Sequence, residues 1–293
     1  MNAKEFVGNY ELTQSVICDR MSRFLPRISH LKHLVYRCNL AKIGKVDGYA
    51  EGELVRYIGI DGCKAGWVIW SVEQEQPRCQ IVTQLAQISD LLANSTALID
   101  IPIGYSDENT PDRLCDKAAR KFLSPKRSSS VFPVPSRQAA YASDYVEACE
   151  INFELVGRKL SKQTWFILPK VIEVETLLAE APSLKLRESH PEVVFAALQG
   201  SPLEQSKKTP QGQQDRLDII HSIAPDWSEV LINQLSETKA RQANRDDIID
   251  AFVLMMIAAK AENLSTLPEQ PDRDPKGRVR EIVYWDSVIK TAH

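Results

Sequence analysis

The 293-residue chain has the composition of an ordinary globular protein, with 43% hydrophobic residues, 26% charged residues and a formal net charge of −3. This weak acidity excludes a protein that coats DNA through a generally basic surface, although a local basic patch would still allow a nucleic-acid partner. Six scattered cysteines without a Cys-x-x-Cys pair favour reduced thiols over a disulfide framework or a zinc site. No apolar stretch approaches the roughly 18 residues that span a bilayer, and the N-terminus has no signal-peptide pattern. We therefore expect a cytoplasmic protein without a membrane partner.

Regular patterns begin at residue 56. Residues 1–55 are basic and lack a clear apolar period, so we expect a weakly ordered or loosely packed extension. Strands are then predicted at 56–60, 67–72 and 80–83, followed by a helix at 84–93 and a strand that ends at Pro102. The order of these elements is β-β-β-α-β.

The rest of the chain is predicted to be mainly helical. Residues 105–180 form a largely helical insertion, with helices at 111–123, 138–160 and 169–179 and a Pro/Ser-rich loop at 124–136. A strand at 184–188 and helices at 213–222, 227–236 and 244–262 follow, with another helix starting at Pro191 and a last strand at 280–285. The expected fold is α/β, with a mixed sheet flanked by helices in one domain over residues 56–293.

Two acids lie in apolar, strand-forming segments. Asp100 stands between Ile99 and Ile101, where a buried strand is expected, and a buried charge is normally paired, protonated or bound to a cation. Asp61 ends the apolar segment 57–60, but Asp61-Gly62 is also a favoured hairpin turn. The pattern favours a functional role for Asp100 and leaves Asp61 open between a turn residue and a ligand.

The segment Glu188-Ser-His-Pro-Glu192 contains two glutamates with different expected roles. Ser189 suits a helix N-cap, and Glu192 completes a capping box with it, so Glu192 has an adequate structural role. Glu188 ends the preceding strand and is not needed for the cap, which makes it the better functional candidate. His190 could orient a phosphate or simply begin the helix.

The most apolar predicted helix begins with a group of acids. Asn244 can cap this helix, and Asp246 and Asp247 fall in its first turn, where acids offset the helix dipole. This explains Asp246 fully and Asp247 in part. Asp250 lies on the same face as Asp247, one turn further into a helix that is expected to be buried. Two acids on a core-facing side need a counter-charge, which a divalent cation would supply.

These acids could converge on a metal site. Oxygen-only ligands favour the hard cations Mg²⁺ or Mn²⁺. Two such ions, roughly 4 Å apart, can activate a water and stabilise the leaving oxygen in phosphodiester hydrolysis. The candidate metal ligands are Asp61, Asp100, Asp247 and Asp250, and Glu188 is a further catalytic candidate.

Basic residues next to these acids could bind phosphate. Four recur at spacings of three and four residues and share one helix face: Arg113, Lys117, Arg120 and Lys121. Lys126, Arg127 and Arg137 continue the charge into the next loop. This surface could follow a phosphate backbone, or it could be a solvated helix face partly neutralised by its own acids. Lys207 and Lys208 could likewise be a second phosphate contact or ordinary surface charge.

Several motifs resemble the DUF429 family of predicted nucleases. They are Gly59-Ile-Asp-Gly-Cys-Lys64-Ala-Gly-Trp67, Asp100-Ile-Pro-Ile-Gly104, Arg113-x-Cys-Asp-x-x-Ala-Arg120, Ser130-Val-Phe-Pro-Val-Pro135, Glu188-Ser-His-Pro-Glu192 and Lys208-Thr-x-x-Gly212. The resemblance runs from about residue 56 to 285. The β-β-β-α-β order, with Asp on the first and fourth strands and Asp-x-x-Asp-Ala on a late helix, is similar to the ribonuclease-H-like fold.

The resemblance implies a nuclease-type metal site at Asp61, Asp100, Asp247 and Asp250, with Glu188 close by. It also favours Lys208, which the charge pattern alone does not separate from an ordinary surface lysine. The candidate phosphate or nucleic-acid contacts are Lys64, Arg113, Arg120, Lys126, Arg127, His190 and Lys208.

Three functions are compatible with these patterns. The leading hypothesis is a metal-dependent nuclease or phosphodiesterase with two ions, acting on nucleic acid or another phosphodiester. The second is a phosphotransferase of the sugar-kinase/actin-like superfold, which also begins with a strand bearing Asp-Gly but normally needs a second copy of the domain. The third is a non-catalytic nucleic-acid-binding protein, which predicts no bound metal and no effect of Asp61→Asn or Asp250→Asn.

Overall fold

A computed structural model describes residues 55–259 and 264–286 of the protein. The predicted extension at 1–55 lies outside these ranges except for its last residue, Val55. The described cysteines, at positions 63, 79, 115 and 149, are free thiols.

A five-stranded mixed sheet forms the centre of the described chain. Its strands are β1 (Arg56–Cys63), β2 (Gly66–Glu73), β3 (Gln76–Val82), β4 (Ser95–Ile99) and β5 (Leu186–Glu188). The first three form an antiparallel meander, and β4 and β5 add to β1 in parallel, which gives the order β3-β2-β1-β4-β5. A 3₁₀ turn at Leu85–Ile88 and helix α1 (Ser89–Ala93) connect β3 to β4, so the predicted β-β-β-α-β order is observed.

The segment between β4 and β5 is largely helical, as predicted. It contains α2 (Leu114–Phe122), α3 (Arg137–Ala140), α4 (Tyr145–Val156) and α5 (Lys162–Glu180). After β5 come α6 (Pro191–Gln199), α7 (Pro210–Ile223), α8 (Pro225–Glu237) and α9 (Arg245–Ala258). In the described ranges, no helix has both the length and the apolar character needed to cross a lipid bilayer.

A two-stranded antiparallel ribbon follows, made of β6 (Leu264–Arg273) and β7 (Val279–Trp285). Strand β6 was not predicted, because Pro268 and Pro271 interrupt its sequence and proline cannot donate to a strand ladder. The structure accommodates both prolines in the irregular part of the ribbon, where the pairing register shifts between Leu267 and Asp272.

The two faces of the main sheet bury different helices. On one face, Ile60 and Ile99 belong to the cluster formed with α5. On the other face, Val68 and Leu98 belong to the cluster formed with α6 and α9. Because side chains alternate along a strand, neighbouring residues of β1 and β4 point to opposite clusters. This alternation determines which acids meet α9.

Helix α9 lies directly against β1 at Gly59. A Cβ atom at this position would lie 2.0 Å from the carbonyl oxygen of Ala251 and 2.2 Å from the amide nitrogen of Met255, closer than a carbon can approach. Only glycine therefore allows this contact. The indole of Trp70 donates to the carbonyl oxygen of Ile248 at 3.1 Å and ties β2 to the first turn of the same helix.

Candidate metal centre

Three predicted ligands, Asp61, Asp100 and Asp250, converge in one place. Each offers a carboxylate oxygen, and these three oxygens lie within 4.8 Å of one another. They come from β1, from the residue after β4 and from the second turn of α9. We refer to these three residues as the acidic cluster.

Backbone pairing places two members of the cluster. Asp61 lies inside β1 opposite Val68, and the hairpin turn falls after Cys63. The interpretation of Asp61-Gly62 as a turn is therefore wrong. Asp100 lies just beyond β4, where its N–H donates to the carbonyl oxygen of Ile60 at 2.9 Å. Since Ile60 and Ile99 face α5, alternation directs both acids toward α9.

Burial and mutual repulsion perturb the acids of the cluster. Asp61 is 7% exposed and Asp250 is 1% exposed. Burial raises the pKa of Asp61 well above its ordinary range, and the charges of Asp100 and Asp250 raise it further. Burial also raises the pKa of Asp100, while His190 and Lys207 act in the opposite direction. Ionised carboxylates at these positions thus require a nearby cation.

Lys207 supplies one positive charge to the cluster. Its ammonium lies 2.6 Å from Oδ2 of Asp250. Burial lowers the pKa of Lys207, but the surrounding carboxylates outweigh this effect and raise the pKa well above its ordinary range. The other oxygen of Asp250, Oδ1, is buried and has no hydrogen-bond partner. Three carboxylates, one ammonium and an unpartnered buried oxygen form a donor set that suits a hard divalent cation.

Asp247, the fourth predicted ligand, does not join this group. Its Oδ2 accepts the N–H of Asn244 at 2.8 Å in a capping box at the start of α9. Burial raises the pKa of Asp247 to about 6, and the hydrogen bonds from Asn244 oppose the rise. Its predicted structural role is observed, and its predicted role as a ligand is not supported by the geometry.

Glu188, the predicted catalytic glutamate, lies on the opposite face of the sheet from Asp100. It pairs with Ile99 across β4 and β5, so its side chain points away from α9. Its carboxylate receives two hydrogen bonds from Arg113, at 2.7 and 2.8 Å, and one from the N–H of Ile103 at 2.7 Å. Burial raises the pKa of Glu188 to about 7, with Arg113 opposing the rise.

Arg113, a predicted phosphate contact, is fully enclosed and forms a second buried ionic group with Glu188 and Asp116. Its guanidinium also bonds to Asp116 at 2.6 Å and to the carbonyl oxygen of Ile103 at 3.1 Å. Cys115, Asp116 and Glu188 have ligand atoms within 4.8 Å of one another, but Arg113 already supplies their positive charge. A phosphate contact by Arg113 would require this group to break.

The other predicted phosphate contacts divide into engaged and exposed residues. Arg120 and Arg127 donate to the carbonyl oxygens of Val131 and Leu203, and Lys126 pairs with Glu204. His190 accepts the N–H of Glu192 through Nδ1 at 3.2 Å, while Nε2 lies 3.3 Å from the carbonyl oxygen of Ser130. Lys64 and Lys208 are exposed, although Lys64 reaches the carbonyl oxygen of Ala240 at 3.1 Å.

Two residues next to the cluster were not predicted. The family resemblance favoured Lys208, but Lys207 is the lysine that reaches Asp250, because no sequence pattern tells which of two adjacent lysines points inward. The sequence explained Glu192 as part of a capping box with Ser189, but His190 is the N-cap residue. Glu192 is a buried acid, and its negative charge raises the pKa of Asp100. Because the capping box already explained Glu192, the sequence offered no reason to place it near Asp100.

Comparisons with known proteins identify a family. Residues 59–273 match the family described as protein of unknown function (DUF429). The comparison with curated proteins gives no match, and neither does the comparison with solved structures. The matched residues include all three members of the acidic cluster and cover well over half of the chain. The chain therefore belongs to the DUF429 family.

Proposed function

We propose that this protein is a metal-dependent phosphodiesterase, most simply a nuclease, with a ribonuclease-H-like fold. The observation that carries the proposal is the buried cluster of Asp61, Asp100 and Asp250, in which Oδ1 of Asp250 lacks any partner. Structural acids in a core are normally neutralised pair by pair, as Glu188 is by Arg113. The acidic cluster instead has three carboxylates, of which Lys207 pairs directly with Asp250.

The charge balance favours Mg²⁺ or Mn²⁺ as the missing partner. Three ionised carboxylates and the Lys207 ammonium leave two uncompensated negative charges, which one divalent ion would neutralise. Asp61, Asp100 and Asp250 would hold this ion, since all three offer hard oxygen ligands. When bound, such a metal activates water and stabilises the leaving oxygen of a phosphodiester.

Access to the cluster supports a reaction with an external substrate. Asp100 is partly exposed, and the side chain of Lys207 is 31% exposed, so both can be reached from solvent. A cleft of about 570 Å³ also opens beside the first turn of α9, but no residue of the acidic cluster lines it, so it carries no part of this proposal.

The test is hydrolysis of a substrate panel with Mg²⁺ and Mn²⁺. The panel contains single-stranded and duplex DNA and RNA, a branched DNA junction and a small activated phosphodiester. The wild-type protein is expected to cleave at least one substrate, and Asp250→Asn is expected to lose this cleavage while remaining folded. Asp246→Asn, one turn earlier on the same helix and outside the cluster, is the matched control and should retain it. Metal-dependent cleavage that survives Asp250→Asn would refute the proposal.

The same panel separates the alternatives. A non-catalytic nucleic-acid-binding protein would bind a substrate equally well with and without metal and would never cleave it. A phosphotransferase of the sugar-kinase/actin-like class would need a second sheet domain for its nucleotide. Over residues 55–259 and 264–286 the structure has one five-stranded sheet and the short β6–β7 ribbon, which disfavours that function.

A further inference from the structure

Only one of the two carboxylate oxygens of Asp250 is free for a metal. Oδ2 accepts a hydrogen bond from the Lys207 ammonium, with 2.6 Å between the two atoms. Oδ1 is buried without a hydrogen-bond partner, and the residue as a whole is 1% exposed. In a two-ion site roughly 4 Å separates the ions, so a shared carboxylate can give one oxygen to each. At Asp250 the ammonium already holds one of these two oxygens.

The acids next to the cluster are engaged elsewhere. Arg113 lies 2.7 Å from Glu188, and Arg216 lies 2.5 Å from Glu192. Asp247 takes part in the capping box of α9. Among the described residues, the three carboxylates of the acidic cluster therefore remain as ligands for a cation.

A hydrogen-bonded turn carries Lys207 to the cluster. The carbonyl oxygen of Ser206 accepts the N–H of Thr209 at 2.9 Å and the hydroxyl of the same threonine at 2.8 Å. The hydroxyl of Thr209 also accepts the N–H of Gly212 at 3.1 Å, as the N-cap of α7. Lys207 lies within this turn, so backbone hydrogen bonds on both sides of it determine where its side chain begins.

Gly212 allows the turn to lie against α7. A Cβ atom at this position would lie 2.1 Å from the carbonyl oxygen of Ser206, closer than a carbon can approach. The motif Lys208-Thr-x-x-Gly212 therefore has a structural explanation. Its threonine and glycine build the turn that places Lys207, and not Lys208, at the cluster.

The charge of Lys207 suits the place of a second cation. One divalent ion and the Lys207 ammonium supply three positive charges, which balance the three carboxylates of the cluster. Two divalent ions with Lys207 would supply five. The side chain of Lys207 is 31% exposed, so its ammonium can also meet an oxygen of a substrate phosphate.

We infer that the Lys207 ammonium takes the place of a second metal ion, so that this centre uses one divalent cation. The inference rests on the proposed function, because it assigns the second positive charge of a phosphodiester hydrolase. Asp61, Asp100 and Asp250 would hold the ion, whereas Lys207 would contact Asp250 and a phosphate oxygen. A positioned ammonium stabilises negative charge that develops on phosphate oxygens during reaction. The centre thus needs one ion, where the sequence predicted two.

The test counts the Mn²⁺ ions bound to the full chain. Electron paramagnetic resonance detects free Mn²⁺, so a titration gives the number of ions per chain. Wild-type protein is expected to bind one ion. Lys207→Met is expected to bind two, because it frees Oδ2 of Asp250 and removes the ammonium. Two matched controls should bind one ion: Lys207→Arg, which keeps the positive charge, and Lys208→Met, which changes the exposed neighbour.

The wild-type count guards against a variant that does not fold. Two ions on the wild-type protein would overturn the inference without any variant. Lys207→Met is handled in Mn²⁺ throughout, and its circular dichroism spectrum is compared with that of the wild-type protein. If it does not fold, Lys207→Gln takes its place with the same expectation. One ion in a folded neutral variant would also overturn the inference.

The outcomes separate this inference from the proposed function. If wild-type protein binds one ion, Lys207→Met binds two and no substrate is cleaved, the assignment of Lys207 to the second cation position stands and the hydrolase proposal fails. If wild-type protein cleaves a substrate and binds two ions, the hydrolase stands and the role of Lys207 is refuted. A wild-type protein that binds no Mn²⁺ refutes both.

Discussion

Replacing Asp61 with asparagine should stabilise the metal-free protein and remove its response to metal. The Asp61 carboxylate is almost fully buried, and it faces those of Asp100 and Asp250 with ligand oxygens within 4.8 Å. At an effective dielectric constant of about 20, two unit charges at this separation repel by about 3.5 kcal/mol. Lys207 offsets about one of the two repulsions, so neutralising Asp61 should relieve about 3 kcal/mol.

Protonation of Asp61 sets an upper limit on this gain in stability. Asp61 can also avoid its charge by binding a proton, which at pH 7 costs an acid of ordinary pKa about 4 kcal/mol. The relief therefore cannot exceed this amount. The asparagine amide can donate to the remaining carboxylates, so it leaves no new buried donor unsatisfied. We expect a rise of about 2–4 kcal/mol in the free energy of unfolding, or about 5–10 °C in Tm.

The dependence on pH has a defined sign. Burial raises the pKa values of Asp61 and Asp100, so above their ordinary range the folded metal-free protein holds more protons than the unfolded chain. Its stability should therefore fall as the pH rises from the ordinary range of these acids through their raised pKa values. This fall should be smaller in Asp61→Asn.

The assay is thermal and urea unfolding in EDTA and in excess Mn²⁺. Wild-type protein should gain stability with Mn²⁺, while Asp61→Asn should start higher in EDTA and gain little. Asp246→Asn is the control, because Asp246 lies in the first turn of α9 outside the cluster. It should lose up to about 1 kcal/mol of dipole stabilisation and keep the metal response. An Asp61→Asn protein that is less stable than wild type in EDTA would refute the electrostatic reasoning.

Three further substitutions test the surroundings of the cluster. Gly59→Ala should destabilise the protein by about 2–4 kcal/mol, because the new Cβ would overlap the carbonyl oxygen of Ala251. Urea unfolding measures this loss, and a variant as stable as wild type would contradict the packing of α9 on β1. Arg113→Met should lower the free energy of unfolding by about 3–5 kcal/mol, because it leaves Glu188 buried and unpaired. A variant that stays stable but binds substrate more weakly would instead support Arg113 as a phosphate contact. Lys207→Met should have a lower Tm than wild type in EDTA, and Mn²⁺ should restore it, because the metal replaces the positive charge of Lys207. Equal losses of Tm in EDTA and in Mn²⁺ would exclude this electrostatic role of Lys207.

The sequence patterns determined the strands more reliably than the roles of individual acids. Apolar segments and turn residues predicted β1 and β2 closely, because those signals are local. The bounds of the next two strands were less accurate: β3, predicted at 80–83, spans Gln76–Val82, and β4, predicted to end at Pro102, ends at Ile99. Strand β6 escaped because Pro268 and Pro271 oppose a regular strand, and only its pairing with β7 reveals it. The choice left open at Asp61, between a turn residue and a ligand, could not be made for a similar reason, since the register that puts Asp61 opposite Val68 depends on the partner strand.

The two glutamates illustrate why site residues are harder to predict. Glu188 was preferred because it had no local structural role, and Glu192 was set aside because a capping box explained it. The structure gives Glu188 a distant partner in Arg113, 75 residues earlier in the chain, and shows that His190 caps the helix in place of Ser189. A residue with a local structural role can therefore still belong to a site, and a residue without a local structural role need not belong to one.

The spacing of the basic residues does not determine their surroundings, for a related physical reason. Charges at helical spacing share a face, but spacing does not tell whether that face meets solvent or another part of the chain. Arg113 begins the predicted basic face and is fully buried, whereas Lys208 is exposed. Only tertiary packing separates the two, so the sequence alone could not tell which basic residues stay available to a phosphate.

The acidic cluster exists only because three distant segments pack together. Strand alternation directs Asp61 and Asp100 toward α9, and the close contact at Gly59 holds α9, which carries Asp250, against β1. These contacts bring the carboxylates close enough to repel one another, and Lys207 offsets part of that repulsion in the metal-free fold. A core that served only stability would gain from replacing one of these acids with a neutral residue, as the Asp61→Asn prediction states. Three carboxylates and an unpartnered oxygen on Asp250 are the arrangement that the proposed divalent cation would neutralise, whereas the metal-free fold gains no stability from it.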